Sequence, residues 1–190
     1  LCVMATHYVN KPEIKTADAL HELLRQRREN GYGKDDGIRL HRSISWISAA
    51  EYYAEDTDIA FIAYRNAYGA QHEGEMNTQG NRATANRRES HLHKVARLDT
   101  ANDLLIILIT GYGEYLQKII ENKYLFRKYY LYKTGEERDW EHAFSLERRG
   151  FRDAIVNKNI KSLLSLSLYR LSVLRNQMSH GAATYQGSVN

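Results

Sequence analysis

A single proline, Pro12, is found in 190 residues. Proline ends helices and marks strand edges and loops, so its near absence favours long uninterrupted helices over many short strands joined by turns. The apolar spacing agrees. Leu40, Ile44, Ile47 and Glu51 recur at helical intervals, with Trp46 and Tyr53 widening the face. The expected architecture is all-α, a single-domain helical bundle spanning residues 1–190, with residues 1–12 outside the ordered body and residues 69–90 forming a long loop.

Segment by segment, Glu13 to Glu29 reads as a polar, basic helix closed by a loop from Asn30 to Gly37. Ile38 opens the second helix. Asp56, Thr57 and Asp58 are candidate caps for a third, in which Phe61, Ile62, Arg65 and Tyr68 recur. Gly69 to Ser90 is polar and aperiodic, hence the loop, and a short helix covers His91 to Leu98. Leu104 to Ile109 is a solid apolar run that fits either a buried strand or a helix; its continuation through Tyr112, Leu116, Ile119 and Ile120 favours a core helix over Thr100 to Asn122. An aromatic segment from Tyr124 to Tyr132 leads to Gly135. A charged helix then covers Glu137 to Asn157, interrupted near Gly150, and the last helix runs from Asn159 to Ser179.

Composition narrows the function classes. Cys2 is the only cysteine, so no internal disulfide or cysteine-based zinc site can form, which fits a reducing, cytoplasmic setting. No stretch reads as a secretion signal or a membrane span. The net charge of +4 is mildly basic. Arginines gather at Arg25, Arg27 and Arg28, at Arg82, Arg87 and Arg88, and at Arg148, Arg149 and Arg152. Each cluster alone reads as a solvated helix face or loop; three in one small domain point toward a polyanion such as RNA, with Arg82, Arg87 and Arg88 as candidate RNA contacts.

Chemistry concentrates at the end of the last helix. Leu164, Leu168, Leu171, Arg175 and Met178 follow at steps of four, three, four and three, which sets Arg175 on a leucine stripe. An arginine there must pair with a carboxylate or face a cleft. Glu51, which shares a face with Leu40, Ile44 and Ile47, or else Asp58, is the expected partner. Gly181 predicts the helix end, letting the chain turn at His180 and bring that ring back toward Arg175. A fixed cation, a titratable ring and the Asn176 amide suit phosphodiester cleavage: the arginine neutralises phosphate while the histidine exchanges protons near neutral pH. The plainer alternative is a salt-bridged arginine and a capping histidine.

The stretch Leu174-Arg175-Asn176-Gln177-Met178-Ser179-His180-Gly181 resembles the Arg-x4–6-His signature of HEPN domains, in which a polar residue commonly follows the arginine. Gly181 to Asn190 resembles the continuation in Apea-like bacterial members. So do Arg39 to Trp46 with Ala50-Glu51, and Asp58 through Phe61-Ile62 to Asn66-Ala67-Tyr68. The resemblance implies a HEPN-type helical bundle that dimerises and cuts RNA without a metal or cofactor, in toxin or antiviral defence, with an antitoxin or other protein partner. The ribose 2′-hydroxyl attacks. Carried over, Arg175 binds the scissile phosphate, His180 is the general acid or base, Asn176 orients one of them, and Glu51 or Asp58 supports the arginine. A catalytically silent module that binds RNA, a nucleotide or a protein is the alternative, and a purely structural helical dimer is a third. Some toxins of the superfamily carry tyrosine two positions after the histidine, where this chain has Ala182.

Three rival signals are weaker. His72, Glu73, Glu75, His91 and His93 are metal-capable, but His91 and His93 share a side only in an extended chain and no third ligand has suitable spacing. No serine sits in a strand–elbow–helix context. The 14 tyrosines can stack on bases, though core edges are their commoner place.

Overall fold

The computed structural model describes residues 15–29, 34–72 and 80–187, with the backbone alone at 34–36 and 80–85. Among the described residues every regular element is helical. The helices are α1 (Ala17–Glu29), α2 (Lys34–Tyr52), α3 (Thr57–His72), α4 (Gly80–Leu98), α5 (Asp103–Ile106), α6 (Tyr112–Glu121), α7 (Arg127–Lys133), α8 (Trp140–Val156) and α9 (Ile160–Ser179). A π-helical turn, Ile107–Gly111, joins α5 to α6, and a 3-10 turn, Lys123–Leu125, precedes α7. The chain divides into two compact units, with the boundary between His91 and Leu92 inside α4.

In the first unit, α1 buries Ala17 and Leu24 against Ile44 of α2, with Leu20, Leu40 and Ile47 around them. The intervals of three and four residues on both helices produce this seam. Glu51 continues the α2 face, as its spacing predicts, and both its carboxylate oxygens accept from the Ala17 N–H, at 3.0 and 3.2 Å. A carboxylate on the positive end of α1 is favourable in its own right. Helices α2 and α3 meet on small residues, Ser43 and Ala50 against Ala60, Ala63 and Ala67. Short side chains let the backbones approach, and Ser43 Oγ donates to the Ala67 carbonyl at 2.9 Å. The inward face of α3 is therefore alanine, and Ile62 is exposed. Asp56 caps α3, accepting from the Ile59 N–H at 3.1 Å.

The expected loop over 69–90 is largely helix. Gly69 to His72 complete α3, and α4 begins at Gly80; residues 73–79 lie outside the described residues, as do residues 1–12. Helix α4 is polar nearly all round, so it offered no apolar period to read.

The second unit is built on Leu105, Leu116, Ile120, Phe151, Ala154, Ile160 and Leu163. Burying a leucine or isoleucine contributes about 1.5–3 kcal/mol, so these few side chains are its main source of stability. The run Leu104 to Ile109 is helical rather than a strand, but the expected core helix starts later. Asn102 adopts a left-handed φ of 59°, and the Asp99 carboxylate caps the new start, accepting from Leu104 N at 3.0 Å. The π turn absorbs Gly111, and α6 presents Leu116 and Ile120 inward. No break occurs at Gly150: α8 is continuous from Trp140 to Val156. A mid-helix glycine costs about 1 kcal/mol, and burial of the adjoining Phe151 and Ala154 outweighs it.

Candidate functional site

Helix α9 buries Ile160, Leu163, Ser167, Arg170 and Gln177. This stripe lies one residue, about 100°, from the leucine stripe expected from the sequence. Leu164, Leu168, Leu171 and Met178 are only half-buried flanks, and Arg175 is exposed. The core arginine is instead Arg170, fully sealed at 0% exposure. Its guanidinium carbon stands 4.5 Å from the Phe126 ring centre and 5.1 Å from that of Phe144, and its Nε is 3.5 Å from Glu147 Oε1. Burial pushes the Glu147 carboxyl up, with the Arg170 charge opposing. Burial likewise pushes Arg170 down, opposed by Glu147.

The end of α9 closes as the sequence predicts. Gly181 takes φ +69°, Ala182 N donates to Gln177 O at 2.7 Å, and Gly181 N to Met178 O at 3.3 Å. This six-to-one and five-to-two pair is a Schellman closure, which needs the left-handed residue that glycine supplies most easily. His180 still donates its N–H to Asn176 O at 3.0 Å, so it keeps helical phase. Five residues on a helix subtend about 140°, which leaves His180 well round the axis from Arg175 rather than turned back upon it. Arg175, Asn176 and His180 are all exposed, and among the described residues their side chains make no hydrogen bond or ion pair.

The supporting residues lie in the first unit. The carboxylate of Glu51 is engaged by Ala17 N–H. Asp58 is half-buried in the first turn of α3. Arg87 and Arg88 are half-buried on α4, with Arg88 close enough to Tyr68 to oppose the upward push of burial on its phenol. The Arg82 side chain lies outside the described residues. Arg25 pairs with Glu22 at 2.8 Å and Glu29 at 2.9 Å, and Arg148 with Glu121 at 3.5 Å. These two clusters are partly neutralised helix faces.

Of the metal-capable residues, His72 is buried, with Nδ1 3.0 Å from Tyr68 O, and its ring centre lies 5.7 Å from that of His91. His93 Nε2 is 2.7 Å from Lys161 Nζ. Glu73 and Glu75 lie outside the described residues. Among the described residues no group of three His, Cys, Asp or Glu is placed to hold a metal ion. No helix there is long and apolar enough to cross a membrane.

Two features escaped the sequence reading. Arg170 was hidden because a basic residue breaks the apolar pattern it belongs to; the series Leu163, Ser167, Arg170, Leu174 and Gln177 is the signal in retrospect. The second is the tie between α9 and the aromatic segment, made by Gln177, whose Nε2 donates to Tyr124 O and to Tyr130 Oη, both at 2.6 Å.

No family model, curated protein or solved structure matches the chain.

Proposed function

We propose that the chain is a HEPN-type endoribonuclease that acts without a metal through Arg175, Asn176 and His180. The observation that supports this most is the contrast between the two arginines of α9. Arg170 is sealed in the core, whereas Arg175 stands in solvent with Asn176 and His180, free of any carboxylate among the described residues. A guanidinium left free can bind a phosphate bidentately. In the reaction the ribose 2′-oxygen bonds to phosphorus as the P–O5′ bond breaks, leaving a 2′,3′-cyclic phosphate and a 5′-hydroxyl. Arg175 neutralises the phosphoryl oxygens. His180 takes the 2′-proton or gives one to the departing oxygen, and Asn176 orients the phosphate or the ring.

The angle of about 140° between Arg175 and His180 on one helix suits a homodimer, in which the arginine of one copy works with the histidine of the other. The setting is cytoplasmic defence, as a toxin or antiviral nuclease held by a neutralising protein. The test is cleavage of single-stranded RNA in EDTA by the purified chain, with His180→Ala inactive yet folded by circular dichroism.

The same angle also favours a second reading, a silent module that binds RNA through Arg175 and does not cut it. That module would show no cleavage, and Arg175→Ala would weaken binding in a low-salt titration.

A further inference from the structure

Residues 122–134 hold Lys123, Arg127, Lys128 and Lys133, with Tyr124, Tyr129, Tyr130 and Tyr132 between them, and contain no acid. The chain has 27 Lys and Arg against 23 Asp and Glu, so its entire net charge of +4 equals that of this one segment. The structure gathers the segment rather than dispersing it. Lys123 Nζ stands 5.4 Å from the Tyr124 ring centre and 5.3 Å from that of Tyr129, and Lys133 Nζ is 6.0 Å from the latter. Tyr129 meets Trp140 edge-on at 5.0 Å, and Tyr132 lies 6.3 Å from Trp140. Lys128 is paired with Glu137 at 3.2 Å, whereas Lys123 and Lys133 rest over rings, exposed. Tyr132 is half exposed at 50%.

Two side chains of α9 hold this surface. Arg170 packs on Phe126, and Gln177 donates to Tyr124 O and Tyr130 Oη. Gln177 is two residues after Arg175 and three before His180, so the segment is fastened within about one helical turn, about 5.4 Å, of both.

We propose that residues 123–133 form a subsite for single-stranded RNA beside the α9 terminus, with Tyr132 as a base-stacking platform and Lys123 and Lys133 as phosphate contacts. The proposal rests on the RNA reading given above. Single-stranded RNA alternates a π-face with a negative charge, and the segment alternates rings with cations. An acidic protein would use the lysines and leave the rings without a role.

The test uses the full chain carrying His180→Ala, titrated with a fluorescently labelled oligouridylate and read by anisotropy over a range of salt. Tyr132→Ala weakens binding about fivefold or more, and Tyr132→Phe, which keeps the ring, restores it. Lys123→Ala with Lys133→Ala lowers the slope of log affinity against log salt by about 1.4, or about 0.7 per phosphate lost. These side chains are exposed, and an unchanged melting temperature confirms the fold. Unaltered binding in all these variants, with binding lost in Arg175→Ala, overturns the subsite and leaves the RNA reading standing. Absence of RNA binding by the parent overturns both. Equal competition by polyglutamate shows a surface for acidic protein and overturns the subsite.

Discussion

Arg170 and Glu147 stand 3.5 Å apart inside the second helical unit, the guanidinium sealed from water and flanked by Phe126 and Phe144. The phase of α9 that buries Arg170 with Ile160 and Leu163 is the phase that exposes Arg175.

Breaking this pair leaves a buried carboxyl without its cation. Arg170→Ala therefore costs about 3–5 kcal/mol, measured by chemical denaturation. Replacing both partners, Arg170→Met with Glu147→Leu, recovers most of that loss. An equal loss in the single and double variants would place the energy in ring packing instead.

The Arg170→Met defect depends on pH. Burial already raises the Glu147 carboxyl above its ordinary value of 4.5, and removing Arg170 takes away the opposing charge. A group with a raised folded-state pKa contributes stability below its unfolded value and loses it as pH rises through the folded one. Melting curves should therefore show a larger deficit at neutral pH than near pH 4; a constant deficit would contradict the assignment.

Alkaline stability follows the same sign. Burial raises the phenols of Tyr68, Tyr130 and Tyr169 above 10. Stability is intact below about pH 10 and falls as pH rises through their folded values. The phenolate absorbance that Tyr68→Phe, Tyr130→Phe and Tyr169→Phe remove should accordingly appear together with unfolding rather than before it.

Glu51 separates two roles. Both its oxygens engage Ala17 N–H, so Glu51→Ala removes a helix cap and costs about 1 kcal/mol. Its effect should be read in melting temperature, with RNA cleavage per folded molecule unchanged. A selective loss of cleavage would return Glu51 to the active site.

At the closure of α9, Gly181→Ala forces a Cβ into a φ of +69°, costing about 1 kcal/mol. No neighbouring atom lies within 4 Å of that Cβ, so the cost is conformational. Hydrogen exchange should quicken in the last turn of α9 without change in the core helices.

These outcomes also separate what the sequence disclosed from what it concealed. Gly181 announced the end of α9 because few other residues fit a left-handed cap. Leu40, Ile44, Ile47 and Glu51 disclosed one face of α2, yet spacing along a helix carries no information about which backbone meets its last carboxylate. Helix α4 was hidden because its solvated surface lacks an apolar period. The phase of α9 lies one residue from the leucine row because the leucines Leu164, Leu168 and Leu171 flank the buried row, which itself runs through Ser167, Arg170 and Gln177. A charged core residue is visible only once Phe126, Phe144 and Glu147 are seen around it.

Cleavage at the Arg175–His180 terminus is tested most directly by product analysis of single-stranded RNA incubated with the purified chain in EDTA. The expected products are fragments ending in 2′,3′-cyclic phosphate, lost in both Arg175→Ala and His180→Ala while their circular dichroism is unchanged. Cleavage at the wild-type rate by either variant, or no cleavage by the wild type, would contradict cleavage at this terminus.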